Sequence, residues 1–368
     1  MRVLVVNAGS SSLKLRLLSN DTLERSADIT AGPDGFDAAE LANVVRSWAV
    51  PDAVGHRIVH GGLMFRRPVI VTPEVRRQLE TLIDLAPLHQ PKSLAALDAV
   101  TAMLPNIVVV ASFDTAFHST LPKSAATYAL PREWRDRYEL RRYGFHGLSH
   151  AYSSHRAIEL LDRPDEPLRV VTCHLGAGAS LAAVVGGRSV DTTMGFTPLD
   201  GLVMATRSGS IDPGLVLWLE EHAKLTAAEI ATGLETRSGM TGLAGTSDMR
   251  QVEAAAVSGD SDALLAIDVY IHSLAGGIAA MCASAGGLDA LVFTGGVGEN
   301  SEMVRRLTAA RLKFLGIEIQ DDQSVVLDRE ISSEDSRVRT FVVAAREDLQ
   351  ISRETRVLVG PSMGNGLL

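Results

Sequence analysis

One pattern occurs twice in this 368-residue chain and limits its fold more than any other feature. Residues 3–6 are a β-branched run ending in Asn7-Ala8-Gly9-Ser10-Ser11-Ser12, and residues 13–18 form a second run carrying Lys14 and Arg16. That reads as strand, tight polar turn, strand: a hairpin. About 165 residues later the pattern returns. Residues 169–173 read as a strand, His174-Leu175-Gly176-Ala177-Gly178-Ala179-Ser180 as a small-residue turn, and 181–185 as a strand. A Gly186-Gly187 turn then leads into 189–192. Each unit can open one half of the molecule.

Between and after these units, strand-like runs alternate with helical ones, which argues an α/β class. Residues 107–110 read as a buried strand leading into Ser112-Phe113-Asp114-Thr115. Residues 288–293 read as another, followed by Thr294-Gly295-Gly296-Val297-Gly298-Glu299-Asn300 and an amphipathic helix over 301–315 that stops at Gly316. Residues 19–50 are polar and weakly patterned. Length favours two domains.

Composition narrows the function. The formal net charge is -9, from 35 Lys+Arg against 44 Asp+Glu, so the basic surplus of a nucleic-acid binder is missing. The two cysteines, Cys173 and Cys282, have no metal or CxxC spacing, which fits a reducing, cytoplasmic compartment. The N-terminal apolar run is too short for a signal peptide. Residues 269–288 lack Asp, Glu, Lys and Arg but hold four glycines and His272, and are expected as a buried core helix rather than a membrane span.

Three turns could bind anions. Ser10, Ser11 and Ser12 offer hydroxyls and backbone N–H groups, with Lys14 adding charge and Asn7 within reach of a metal or its waters. The glycines of 176–180 let backbone approach phosphate oxygens where a Cβ would clash. Two such turns facing one another would grip a polyphosphate from both sides. The third turn, strand to Gly-Gly-x-Gly to helix, suits a nucleoside packed at a helix start. Neither a P-loop nor a Rossmann fingerprint is present.

Arg57 and Arg207 are each flanked by small residues, and guanidinium forks suit carboxylate and phosphoryl oxygens. Taken singly, each reads equally well as half of a surface salt bridge. His146 and His150 are spaced i, i+4, but Gly147 and Phe145 argue against a zinc-protease helix. Cys173 and His174 are neighbours on a strand, so they point to opposite faces. Asp114 and Glu347 are candidate carboxylates for Mg²⁺ or its waters.

Together these blocks resemble acetate kinases. The run from Val5 to Lys14, the segments 55–62, 113–118 (Phe113-Asp114-Thr115-Ala116-Phe117-His118) and 143–147, the run Thr193-Met194-Gly195-Phe196-Thr197-Pro198-Leu199-Asp200-Gly201-Leu202, and Thr294 to Asn300 match that family in order. The resemblance runs from Met1 to about Thr355. It implies an α/β fold of two actin-like (ribonuclease H-like) ATPase domains with an interdomain cleft. The N-terminal domain would take residues 1–114 plus 349–368, and the nucleotide-binding domain 115–348.

The resemblance also implies an activity: reversible in-line transfer of the γ-phosphoryl group of ATP to acetate, giving acetyl phosphate and ADP. Asn7 and Glu347 would serve Mg²⁺ or Mn²⁺. Ser10, Ser12, Lys14, His174, Leu175, Gly176, Ala177 and Gly178 would hold ATP, together with Asp248, Met249, Arg250, Gly296, Val297, Gly298, Glu299 and Asn300. Arg57 would bind the acetate carboxylate, with Val59, Leu88, Phe145 and Pro198 around its methyl group. Asp114 is the catalytic acid of that family; His146 and Arg207 would stabilise the transition state. A homodimer is implied, with no nucleic-acid or membrane partner.

The chain departs from the family at three places. The segment between Lys14 and His56 is shorter than usual. Ala177 and Ala179 stand where Asn and Ser are common, removing a side-chain donor to phosphate. Met249 replaces an aromatic expected near the adenine. Two alternatives stay open: a propionate or butyrate kinase of the same fold, and a non-catalytic actin-like nucleotide-binding protein. Acetate is ionised at neutral pH and needs no general base, so Asp114 is expected mainly to orient an arginine or a metal-bound water.

Overall fold

The computed structural model describes all residues except 10–11, 33–34, 88, 164–165, 321–326 and 361–368. Ser10 and Leu88 therefore lie outside the described residues. The chain divides into two compact units: Met1–Ser119 with Arg346–Leu368, and Thr120–Ala345.

The strands of the first unit are β1 (Arg2–Ala8), β2 (Ser12–Ser19), β3 (Thr22–Gly32), β4 (Gly35–Phe36), β5 (Ala53–Ile58), β6 (Val69–Ile70) and β7 (Val108–Phe113). Those of the second are β8 (Arg169–Leu175), β9 (Ala179–Val185), β10 (Arg188–Thr192), β11 (Ala290–Thr294), β12 (Arg329–Glu330) and β13 (Arg339–Val342). Among the described residues they form two sheets, ordered β4-β3-β2-β1-β5-β7-β6 and β10-β9-β8-β11-β13-β12.

The two sheets repeat one plan. A three-stranded antiparallel meander comes first, β1-β2-β3 in one and β8-β9-β10 in the other. Two parallel strands then continue outward from its first member, β5 and β7 or β11 and β13. A short antiparallel strand closes that edge, β6 or β12. The fold is thus the duplicated α/β one expected.

Alternation explains how the first sheet is covered on both faces. Leu4, Val6, Leu13, Leu15 and Val54 share a core with Leu41 of the helix Ala38–Ser47 and Val100 of the helix Gln90–Met103. The helix Glu347–Val359 packs against β1, β5 and β7. It lies so close at Gly55 that a Cβ there would sit 2.5 Å from Thr355 Oγ1 and 2.6 Å from Ile351 Cγ2. In the second unit the helices Gly147–Leu161 and Ser261–Ala285 both pack on β8.

Three sequence expectations change. The weakly patterned 19–50 stretch contains β3 and a helix; β3 pairs along β2 through its backbone while most of its side chains stay exposed. The Gly-Gly-x-Gly turn is itself helical, Gly295–Asn300, and Ser301 caps a separate helix, Glu302–Arg311, by accepting from Val304 N. The uncharged run 269–288 is one part of the longer helix Ser261–Ala285, which ends at Gly286 in the left-handed region, so Leu288 falls outside it. Only one face of that helix is buried: Ile267, Ile271, Leu274 and Ile278 point inward while Leu264 and Leu265 are exposed.

Candidate active site

In open α/β sheets, ligands gather at the carboxyl ends of parallel strands. Asn7 lies near the end of β1, Arg57 near the end of β5 and Asp114 just past the end of β7. These strands are neighbours, with Val6 opposite His56 and Arg57 opposite Ser112. The Asp114 N–H donates to the Ile58 carbonyl, which carries the ladder one residue further.

The side chains then interlock. Arg57 Nε and Nη2 donate to the two carboxylate oxygens of Asp114 at 2.9 and 2.6 Å. Arg57 Nη1 donates to Asn7 Oδ1 at 3.1 Å, and Asn7 Nδ2 donates to Glu347 Oε2 at 2.7 Å. Glu347 arrives on the first turn of the last helix. Asp114 is 1% exposed, so its partner decides its chemistry.

Burial raises the Asp114 carboxyl above the ordinary range, and Arg57 only partly offsets this because Glu347 adds a like charge. Burial also opposes the charge on Arg57, but Asp114 and Glu347 more than compensate and hold the guanidinium charged. Two carboxylates facing one guanidinium leave room for a further cation.

In the second unit, β8 runs into the small-residue turn at its carboxyl end. The Gly176 N–H donates to the Gly178 carbonyl at 2.9 Å, which closes the turn tightly. Two cationic or polar heads meet over it. A Cβ at Gly178 would lie 3.1 Å from Arg207 Nη2 and 3.2 Å from His146 Nε2, so glycine makes that approach possible. His146 takes a left-handed backbone, φ 55, immediately before the helix Gly147–Leu161. Its ring lies 4.3 Å from that of His174.

Arg207 Nη1 donates to the Pro198 carbonyl at 2.6 Å. Among the described residues no carboxylate lies within ion-pair distance of this guanidinium. Burial therefore lowers its pKa, opposed only by the charge of Glu235. The two arginines that looked alike in sequence are physically different: Arg57 sits in a buried bidentate pair, and Arg207 is a partly buried cation with no carboxylate in ion-pair distance among the described residues.

A third group surrounds a cavity of about 690 Å³ lined by Arg250, Glu253, Glu299, Asn300, Met303 and Arg305, among others. Asp248 caps the helix Met249–Val257 and is paired with Arg250, while Met249 itself is buried. Glu299 Oε1 accepts from the N–H groups of Gly295 and Ala345, at 3.0 and 2.8 Å. Asn300 Nδ2 donates to the Gly296 carbonyl, and buried Arg305 donates to the carbonyls of Gly298 and Glu299. Gly296 is exposed and Val297 half-buried.

The remaining candidates are placed as follows. Lys14 is exposed and directly opposite Asn7 in the hairpin, and Ser12 opens β2. Val59 is buried just beyond β5, and Phe145 is buried beside His146 in sequence. Leu175 is buried at the end of β8, while Ala177 is exposed at the tip of the turn.

Four residues that were not singled out as site residues also belong to the site. Ser180 and His150 bond to one another and Ser180 to His146; Thr172 bonds to His150; Ser149 bonds to His174. The i, i+4 spacing of His146 and His150 was the one available signal. It marks a shared helical face, because the His150 N–H donates to the His146 carbonyl in the first turn.

Fold and side chains together define a duplicated α/β protein that gathers arginine, histidine and carboxylate side chains at its strand ends and has a cavity beside the helix Met249–Val257. The model of the acetokinase family matches residues 34–353. A relative named acetate kinase, from Clavibacter sepedonicus, is 43% identical over 97% of this chain and 99% of its own length. The crystal structure of Porphyromonas gingivalis acetate kinase matches with a TM-score of 0.88 at 37% identity, covering 97% of this chain and 99% of that one. A propionate kinase structure from Francisella tularensis also matches with a TM-score of 0.88, at 35% identity, covering 96% and 99%. The chain belongs to the acetokinase family.

Proposed function

We propose that this protein is an acetate kinase, a phosphotransferase with a carboxyl acceptor that moves the γ-phosphoryl group of ATP to acetate and back. The observation that carries the reading is Arg207: a partly buried guanidinium without a carboxylate partner among the described residues, beside His146 and over a glycine turn. Such a group is preorganised for an oxyanion that arrives with the substrate.

The residues divide the work. In a loose transition state, charge spreads over the equatorial phosphoryl oxygens, and catalysis is positioning plus electrostatics. Arg207 and His146 stabilise that charge. Arg57 takes the acetate carboxylate, and Asp114 orients Arg57 through the bidentate pair rather than acting as a base, since acetate is already ionised. The 248–250 and 296–300 segments, of which Arg250, Glu299 and Asn300 line the 690 Å³ cavity, hold the nucleoside. Val59, buried just beyond β5, is the apolar side chain of the first unit offered to the methyl group.

Glu347 and Asn7 offer a carboxylate and an amide carbonyl, hard oxygen donors of the kind Mg²⁺ or Mn²⁺ takes alongside waters and phosphates. Among the described residues no cluster of three His, Cys, Asp or Glu could hold an ion unaided, so the phosphates would supply much of its shell. When bound, the ion neutralises phosphate charge.

A homodimer is supported by the helix Pro213–Glu221, whose Leu215, Leu217 and Trp218 are all exposed; gel filtration with light scattering tests it. Buried free thiols at Cys173 and Cys282 support a reducing, cytoplasmic setting. The helix Ser261–Ala285 is long and apolar enough to cross a membrane, but its inner face packs on β8 and β9, which supports a core role.

The test is a hydroxamate trap for acyl phosphate with ATP, Mg²⁺ and acetate, propionate or butyrate. Acetate is expected to give the highest kcat/KM. The propionate kinase relative favours propionate as the second reading, because one methylene is worth only about 1–3 kcal/mol in such a pocket. Product from none of the three would turn the assignment to a non-catalytic nucleotide clamp.

A further inference from the structure

His146 does not end at the phosphate turn; it is the head of a buried chain. Its Nδ1 lies 3.0 Å from Ser180 Oγ, which lies 2.8 Å from His150 Nε2. His150 Nδ1 lies 2.7 Å from Thr172 Oγ1. Ser180, His150 and Thr172 are each fully buried. A shorter chain stands beside it: Ser149 Oγ lies 2.8 Å from His174 Nδ1, and Ser149 is 1% exposed.

Both chains end in hydroxyls, and that sets their direction. A neutral imidazole has one N–H donor and one lone-pair acceptor, and the hydrogen bond at one nitrogen fixes which is which. Thr172 Oγ1 has no other hydrogen-bond partner among the described residues, so its proton is satisfied only by donating to His150 Nδ1. His150 then carries its proton on Nε2 and donates to Ser180. Ser180 has one proton left, which goes to His146 Nδ1. Run in reverse, the chain would bury the Thr172 proton with no acceptor, at the full desolvation cost of that group.

Ser149 Oγ, whose one partner among the described residues is His174, fixes that ring in the same way.

We propose that Thr172, His150 and Ser180, and in parallel Ser149, are positioning residues that lock His146 and His174 as neutral rings with the proton on Nε2. Both rings then present an N–H to the Gly176–Gly178 turn, where His174 Nε2 lies 3.8 Å from a Cβ built at Gly176. A phosphoryl oxygen there meets two preset donors that need no reorientation at the moment of transfer. The kinetic role rests on the kinase reading; the tautomer does not.

The test separates the two. Long-range ¹H–¹⁵N correlation spectra of the full-length protein report ring tautomers without any substrate, with His146→Gln and His174→Gln used only for assignment. Wild-type protein should show Nε2 protonated and Nδ1 unprotonated in both rings. Thr172→Val keeps the shape and removes the donor; it should convert His146 to a tautomer mixture while leaving His174 unchanged. Ser149→Ala should do the converse, and Thr172→Ser should restore His146.

In acetyl phosphate formation, Thr172→Val should lower kcat at least about tenfold, as a wrong tautomer does elsewhere, with KM for both substrates within about twofold. A wild-type His146 proton on Nδ1, or a Thr172→Val protein whose His146 tautomer is unchanged, overturns the proposal whatever the activity. A shifted tautomer with unchanged kcat overturns its kinetic half.

Discussion

Arg57 and Asp114 are 57 residues apart in sequence yet meet through two parallel N–H···O bonds, of 2.9 and 2.6 Å. Parallel pairing of β5 with β7 puts them side by side at the strand ends, and Asn7 from β1 completes the row. The pair is buried and geometrically locked, which makes its two halves unequal to mutation.

Arg57→Ala strands a buried carboxylate and should cost about 3–5 kcal/mol of stability, read as a lower urea midpoint. Arg57→Lys keeps the charge but loses the fork, so KM for acetate should rise while the protein stays folded. Asp114→Asn keeps the volume and one acceptor; kcat should fall about 10²–10³-fold, the scale for losing a preorganised electrostatic group. Full activity in Asp114→Asn would remove Asp114 from the mechanism.

Arg207 should behave in the opposite sense. Its guanidinium is partly desolvated, with no carboxylate in ion-pair distance among the described residues, so Arg207→Met should raise stability by about 1 kcal/mol or more while activity falls about 10²–10³-fold. Thermal melts and acetyl phosphate assays on one preparation check both. A destabilised Arg207→Met protein would mean that the bond to the Pro198 carbonyl outweighs the cost of the charge.

Two other histidines set a pH dependence. Burial lowers His56 to about 3, partly opposed by Asp98, and lowers His60 to about 4. Both are neutral when folded and take up protons on unfolding below about 6.5. Their contribution is therefore complete above that pH and is lost as pH falls toward the folded values. Each should add up to about 1.4 kcal/mol per pH unit to the slope of stability in that window. Urea titrations between pH 6.5 and 5 should show the slope drop by about one proton in His56→Gln; an unchanged slope would exclude the buried neutral state.

Ala177 is exposed at the tip of the phosphate turn, so an asparagine fits there without repacking. Ala177→Asn should leave the melting temperature unchanged and lower KM for ATP severalfold by adding a donor worth about 1 kcal/mol. An unchanged KM would show that the backbone donors of the turn already suffice.

Legibility in the sequence followed burial. β1, β8, β7 and β11 are buried β-branched runs and were readable as strands, and the two hairpins disclosed the duplication. β3 was not, because its pairing is a backbone matter and its side chains mostly face water. The helix Gly295–Asn300 was hidden by three glycines, residues poor in helix propensity; its carbonyls are instead held by Arg305. Individual site residues could be nominated through family resemblance. That Arg57 is paired with a carboxylate and Arg207, among the described residues, is not depends on which strands and loops adjoin, and spacing carries no such information. The hydroxyl chain behind His146 was invisible for the same reason, since Ser180 and Thr172 look like ordinary strand residues.

The helix Glu347–Val359 has a consequence for biosynthesis. It covers β5 at Gly55 and delivers Glu347 to Asn7, yet it is made after the whole Thr120–Ala345 unit. On the ribosome, the Thr120–Ala345 unit is fully synthesised before the first-made half can be finished. β1, β5 and β7 must wait, with one face of their sheet bare, until this helix leaves the exit tunnel. Premature termination just before residue 346 would thus yield a chain with one mature half and one unsealed half, a natural substrate for chaperones and proteases.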